Sequence, residues 1–97
     1  MALFIYGTAT NTGKGFFTVE DRRNFFLRGY PADVWVVGNN EKGATWLAEK
    51  NGVEKTKAEA QALVNAEVQA AQAAYDALSD EEKAAQPGGR PGDITLP

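Results

Sequence analysis

The sequence predicts an α+β protein, in which a small two- to three-stranded sheet and a short helix pack against a long C-terminal helix, and an extended arm follows. Nine of the ten aromatic residues lie within the first 46 residues, which places the hydrophobic core in the N-terminal half. The next stretch is rich in alanine, glutamate and glutamine, which favour helix. We therefore expect one small domain at residues 1–86, with an aromatic-rich core at 1–52 and a helical part at 56–86, and then a Pro/Gly-punctuated arm at 87–97.

The chain begins with a strand signal and a glycine-rich loop. Residues Ala2–Tyr6 are apolar, β-branched and aromatic, which predicts a strand, and Phe16–Phe17 would add a second strand in a hairpin around residues 11–14. The loop at residues 7–15 is not a phosphate loop, because five residues separate its first two glycines instead of four. Gly15 also stands where that loop needs a hydroxyl for magnesium. We expect a hairpin here and no cofactor.

A helix and a buried strand are expected next. Thr18 has the side chain of a helix N-cap, and the helix should end at Arg28, with Gly29 in the left-handed position that terminates many helices. Asp33–Val37 is a continuous apolar run, which is typical of a strand that is buried on both faces. Residues Ala44–Lys50 predict a short helix that Asn51 and Gly52 close.

The first helix also combines basic and aromatic residues, namely Arg22, Arg23, Arg28, Phe25 and Phe26. Such residues together can bind single-stranded nucleic acid through charge and stacking. Two acidic residues precede them, however, and we expect both phenylalanines in the core. The net charge of −3 and the pI near 4.9 also oppose a nucleic-acid surface, so no nucleic-acid partner is expected.

The long helix has a readable start, stop and set of faces. Thr56 and Glu59 form a capping box at its start, and Ser79 and Glu82 form another, so the helix should stop near Leu78 and a short one restart. At 100° per residue, one apolar seam contains Val64, Val68, Ala71, Tyr75 and Leu78. A polar stripe contains Gln61, Asn65, Gln69, Gln72 and Asp76, and a third, alanine stripe contains Ala62, Ala66, Ala70, Ala73 and Ala77.

Two interpretations of the alanine stripe stay open. Alanine on an exposed face can reflect helix propensity alone. Alternatively, small side chains allow a second helix to approach closely, which makes the stripe a candidate contact with a subunit or another protein. The arm has three interpretations: Ile94, Thr95 and Leu96 are frayed, or they pair as a strand with an edge of this chain's own sheet, or they pair with the sheet of a neighbour.

Composition excludes several classes of function. The chain has no cysteine and no histidine, which rules out disulfides, the usual zinc sites and Cys–His or Ser–His catalysis. No apolar run approaches the roughly 20 residues of a membrane span, and we expect neither a secretory signal nor a membrane partner. No two carboxylates are placed by spacing in one pocket. An enzyme with a small-molecule substrate is therefore not expected.

Three segments carry a resemblance: Lys55–Ala62 (Lys-Thr-Lys-Ala-Glu-Ala-Gln-Ala), Ala71–Leu78 (Ala-Gln-Ala-Ala-Tyr-Asp-Ala-Leu) and Arg90–Pro97 (Arg-Pro-Gly-Asp-Ile-Thr-Leu-Pro). Over residues 46–97 the chain resembles the C-terminal half of small proteins encoded by tailed phages that infect marine cyanobacteria. The resemblance implies a virion component or a small phage accessory protein, located in the virion or the host cytoplasm. It implies no cofactor and brings no functional residue with it.

The expected function is structural. We expect a small subunit that self-associates into an oligomer or decorates a larger assembly, plausibly a phage virion, through the alanine stripe and through strand addition by Ile94, Thr95 and Leu96. The alternative is a monomeric, small acidic binding module that acts on a host or partner protein through an exposed aromatic patch around Phe16–Phe17 and Tyr30. Size in solution separates the two.

Overall fold

The computed structural model of the chain describes residues 4–10, 18–38 and 40–97. The elements in chain order are β1 (Phe4–Thr8), α1 (Val19–Asn24), β2 (Leu27–Tyr30), β3 (Val34–Gly38), α2 (Asn40–Glu49), β4 (Val53–Lys55), α3 (Lys57–Asp76) and α4 (Asp80–Ala85). A 3-10 turn at Pro31–Asp33 joins β2 to β3. The α+β prediction is confirmed, but the sheet has four strands where two or three were expected.

The strands form one antiparallel sheet in the order β2-β3-β1-β4. Val37 of β3 lies opposite Ile5 of β1 on one side and Leu27 of β2 on the other. The central strand β3 is buried along its whole length, as its continuous apolar sequence predicts. At the other end of the sheet, β4 pairs with β1, and Lys55 lies opposite Tyr6; among the described strands it has no second partner.

The sheet carries a separate hydrophobic cluster on each face, because successive side chains of a strand point to opposite faces. Trp35 and Val37 of β3 belong to the cluster that packs against α2, and Val34 and Val36 belong to the cluster that packs against α3. The buried members of the α2 cluster are Ile5, Ala9, Trp35, Val37, Trp46 and Leu47. Those of the α3 cluster are Val34, Val36, Ala60, Val64, Val68 and Leu96.

The predicted first helix is wrong beyond Asn24. The helix begins after Thr18 as predicted, with a capping box to Asp21, but its C-cap is already Phe25, and the predicted helix end at Arg28 and Gly29 lies inside strand β2. Gly29 is small for a packing reason, since a Cβ there would approach the Trp35 ring to 3.0 Å. The residues with positive φ come later, in the 3-10 turn that follows Tyr30; they are Ala32 and Asp33.

The other elements of the N-terminal half differ from prediction in their bounds. Helix α2 starts at Asn40, four residues before the expected Ala44, and ends at Glu49, one residue before the expected Lys50. Asn51, which was expected to close the helix, has a φ of 57°. Strand β4 was not predicted. The proposed hairpin strand at Phe16–Phe17 and most of its loop lie outside the described residues.

Both predicted capping boxes of the helical part are confirmed. The Thr56 hydroxyl accepts a hydrogen bond from the Glu59 amide at 3.1 Å, and the Thr56 amide donates to the Glu59 carboxylate at 3.0 Å. Ser79 and Glu82 repeat this arrangement at α4. In each box the backbone amide of the capping residue lowers the pKa of the glutamate below its ordinary value. No helix in the described part of the chain has the length and apolar character needed to cross a membrane.

Candidate interaction site

Helix α3 is 20 residues long, about 30 Å, and its three stripes have three different environments. The apolar seam is buried only in its first half. Val64 and Val68 pack against the sheet, together with Ala60, which lies one turn earlier. Farther along, Ala71 is exposed, and Tyr75 and Leu78 are half-buried. These distal residues line an open cavity of about 440 Å³ whose other wall comes from the chain segment after α4.

The polar stripe of α3 holds residues 90–97, the part of the predicted 87–97 arm that docks, and these residues are called the arm from here on. Gln61 makes two hydrogen bonds to the arm. Its amide nitrogen donates to the Ile94 carbonyl at 2.7 Å, and its amide oxygen accepts from the Leu96 N–H at 2.9 Å. One side-chain amide therefore satisfies a backbone acceptor and a backbone donor two residues apart, as a neighbouring strand would. These two bonds place the Leu96 side chain against the sheet.

Two further polar contacts fix the start of the arm. The guanidinium of Arg90 donates to both oxygens of the Asp76 carboxylate, at 3.0 and 3.2 Å. The Gln72 amide nitrogen donates to the Pro91 carbonyl at 3.0 Å and to the Asp93 carboxylate at 3.1 Å. The hydrogen bonds from Arg90, together with its charge, hold the pKa of Asp76 below its ordinary value. The arm thus runs antiparallel to α3, from Asp76 back to Gln61.

The arm ends in the core. Leu96 is only 2% exposed and belongs to the same cluster as Val34, Val36 and Val64. The Tyr6 hydroxyl donates a hydrogen bond to the Pro97 carbonyl, which closes the arm over β1. Leu96 therefore contributes to the fold as a core residue of the described chain.

The structure differs from all three interpretations of the arm. Ile94, Thr95 and Leu96 are not frayed, and they do not extend the sheet, whose four strands contain none of them. They dock on their own chain, on α3 and on a face of the sheet. Ile94 is half-buried and Thr95 is exposed.

The alanine stripe is the face of α3 that the described part of the chain leaves uncovered. All five of its members are exposed: Ala62, Ala66, Ala70, Ala73 and Ala77. Leu63 lies beside the stripe and is 38% exposed. From first to last alanine the stripe extends over four turns, about 22 Å.

Two further large apolar side chains are exposed, one in α1 and one just after it. Phe26 is 58% exposed and Val19 is 74% exposed, so the expectation that both phenylalanines belong to the core is wrong for Phe26. Phe25 does pack on Trp46, with ring centroids 6.4 Å apart. The Phe26 ring contacts the Phe4 ring edge-to-face, with ring centroids 6.2 Å apart.

The chemistry of the described residues offers no metal centre, since no group of three or more acidic side chains converges there. Asp21 is a further acidic residue with fixed partners, at the N-terminus of α1. Burial raises its pKa, but the hydrogen bonds of the Thr18 cap, the neighbouring Trp46 indole and the charge of Lys50 together lower it below the ordinary value. This carboxylate caps α1 and therefore has a structural role.

Comparisons with protein-family models, with curated proteins and with solved structures find no match to the chain. The residues themselves therefore carry the functional argument. Of the eight residues predicted to form an interface, the structure brings the five alanines together on one exposed face and places the other three, Ile94, Thr95 and Leu96, on the adjacent stripe.

Sequence reasoning missed the residues that bind the arm, Gln61, Gln72 and Asp76. One signal was present: the polar stripe ends in an acid, Asp76, and the arm begins with its one basic residue, Arg90. Glutamine on a stripe that borders a buried seam is a further sign, because its amide can bind backbone groups of a segment that covers the seam.

Proposed function

We propose that this protein is a small structural or interaction subunit that self-associates or decorates a larger assembly through the outer face of α3. The observation that supports this proposal is the alanine stripe: five small, exposed side chains in register over four turns, flanked by an exposed leucine. Helices pack with their axes about 8–10 Å apart, and small residues at the contact favour the shorter distance. The phage resemblance over residues 46–97 makes a virion a plausible larger assembly.

The docked arm gives a second reason to expect that a partner binds the outer face of α3, which carries the alanine stripe. Because the chain's own arm binds the polar stripe and its Leu96 packs in the same cluster as Val64 of the seam, those parts of α3 are already contacted within the chain. A partner on the alanine stripe would therefore bind a preformed surface and would not have to order it, which lowers the entropic cost of association. The protein acts in this proposal as a binding subunit and not as an enzyme.

The experiment is size exclusion with light scattering on the wild type, Ala70→Glu and Ala73→Glu. Each variant places a charge in the middle of the stripe, so we expect the 10.4 kDa monomer where the wild type forms an oligomer. Circular dichroism should be unchanged, since both positions are exposed. Ala84→Glu, the same change at an exposed position of α4, is the matched control and should assemble like the wild type. Normal assembly of both stripe variants would contradict the alanine-stripe mechanism.

The alternative function is a monomeric acidic binding module for a host or partner protein, and the exposed side chain of Phe26 favours it. The aromatic patch expected around Phe16–Phe17 lies outside the described residues, and Tyr30 is half-buried. Phe26 and Val19 are therefore the exposed apolar side chains to test. A wild type that stays monomeric from micromolar to millimolar concentration would favour this module over self-association.

A further inference from the structure

The arm is joined to α4 by a short segment that contains two adjacent glycines. Gly88 and Gly89 have φ of 78° and 72°, in the left-handed region, and no other residue comes within 4 Å of a Cβ built on either. One long backbone hydrogen bond, from the Gly89 N–H to the Gln86 carbonyl at 3.4 Å, closes the turn. Because Pro87 and Pro91 have fixed φ, the two glycines carry most of the rotational freedom between α4 and the arm.

The receptor of the arm, in contrast, is built entirely from residues that precede the hinge. Gln61, Gln72 and Asp76 supply its polar contacts, and Val34, Val36 and Val64 surround Leu96. None of these contacts depends on the arm and the receptor belonging to the same chain. An arm from a second copy would make the same hydrogen bonds, the same ion pair and the same buried leucine contact.

We propose that residues 90–97 are an exchangeable arm that docks either on the α3 receptor of its own chain or on that of a second copy. Reciprocal exchange places each arm on the other molecule and closes a two-fold dimer. The closed monomer and the exchanged dimer contain the same arm contacts, so these contacts favour neither form. The equilibrium between the two forms is therefore set by the hinge conformation and by protein concentration. This inference rests on the proposed function in one respect: it names a second copy of the chain as the partner. It uses the polar stripe of α3, which is adjacent to the alanine stripe and separate from it.

The first test shortens the hinge. Deleting Gly88 and Gly89 removes the turn that reverses the chain, so the arm should no longer reach its own receptor in register. We expect a dimer of twice the 10.4 kDa chain mass, measured by light scattering behind size exclusion. Inserting two further glycines at the same place is the matched control and should favour the monomer. A folded monomer for the shortened chain would overturn the proposal.

The second test keeps the hinge intact and exchanges the charges of the ion pair. Asp76→Arg alone opposes its own Arg90, and Arg90→Asp alone opposes its own Asp76, but a reciprocal dimer of the two variants restores an opposite-charge pair at both receptors. Native mass spectrometry of the mixture should give a roughly tenfold excess of heterodimer over either homodimer, since each exposed pair favours the mixed species. The double variant, which restores an opposite-charge pair within one chain, is the control and should assemble by itself like the wild type.

The second test also decides the outcome if the shortened chain fails to fold, since it needs no hinge change. A mixture without excess heterodimer would overturn arm exchange. Failure of the proposed function is distinguishable from that result: the Ala70→Glu and Ala73→Glu variants alter only the outer face and leave the receptor and the arm unchanged. Heterodimers in the charge-exchange test together with normal assembly of those variants would mean that self-association proceeds through the arm alone.

Discussion

Leu96 should stabilise the whole fold although it is the second-last residue of the sequence. It is 2% exposed and lies among Val34, Val36 and Val64. Leu96→Ala removes three carbon atoms from this site, and at about 0.8 kcal/mol per buried carbon the transfer term is about 2.4 kcal/mol. The cavity left behind adds to this loss, and measured Leu→Ala changes in cores span about 2–5 kcal/mol. We expect a loss of about 3 kcal/mol in the free energy of unfolding.

The assay is urea unfolding followed by tryptophan fluorescence. Trp35 and Trp46 belong to the cluster on the other face of the sheet, so their signal reports unfolding of the whole domain and not release of the arm alone. With a slope of about 1.5 kcal/mol per M, the midpoint should fall by about 2 M urea. The matched control is Thr95→Ala, the exposed neighbour of Leu96, which should change stability by less than about 0.5 kcal/mol.

The two variants also decide whether the arm is docked in solution. If the arm is bound as the structure has it, Leu96→Ala and Thr95→Ala must differ by several times the error of the measurement. Equal midpoints for the two variants would mean that residues 90–97 add nothing to the stability of the domain. The argument that the arm leaves the outer face of α3 as a preformed surface would then fail with it.

Two further predictions concern the polar contacts of the arm. Gln61→Leu should lower the free energy of unfolding by about 2 kcal/mol, because two part-buried backbone groups lose their hydrogen-bond partner. The control is Gln69→Leu, about two turns farther along, which should be near neutral, and urea unfolding compares the two variants. The Asp76 carboxylate has a folded pKa below its ordinary 3.8, owing to Arg90, so its contribution is complete above pH 3.8 and is lost as the pH falls through the folded value. Unfolding of wild type and Asp76→Asn should therefore converge in acid; parallel curves down to about pH 2 would refute the pairing.

The sequence predicted the elements whose signals are local. The capping box of α3 joins Thr56 to Glu59, three residues apart, and both of its hydrogen bonds are formed. The long helix and the break before α4 follow from such pairs without knowledge of the rest of the fold. Strand β3 was also predictable, because an unbroken apolar run needs burial on both faces.

Strands β2 and β4 could not be predicted from their own residues. The sequence around Arg28 and Gly29 has the features of a helix end, but its pairing with β3 decides its structure, and Gly29 serves to admit the Trp35 ring. Strand β4 is three residues long and is defined by its partner β1. In both cases the deciding interaction is with residues that are distant in sequence.

The same difference between local signals and contacts distant in sequence explains which predictions at the candidate site were right and which were wrong. Helical periodicity alone defined the seam, the polar stripe and the alanine stripe, but it gave no information on which stripe meets which segment. The arm settles two of the three assignments, since Gln61 binds its backbone and Leu96 completes the core beneath the seam. What remains is a face of α3 that neither the sheet nor the arm covers, and on which a charge can be introduced without touching either.

That separation makes fold and association independently testable in one helix. Substitutions on the arm side, at Gln61 or Leu96, should lower the free energy of unfolding, because they remove contacts within the chain. Substitutions on the outer side, at Ala70 or Ala73, should leave that free energy unchanged and alter only the mass in solution. A variant such as Ala70→Glu that lost both stability and assembly would mean that the outer face is covered within the chain itself, and the alanine stripe would then have to be reinterpreted as part of the fold.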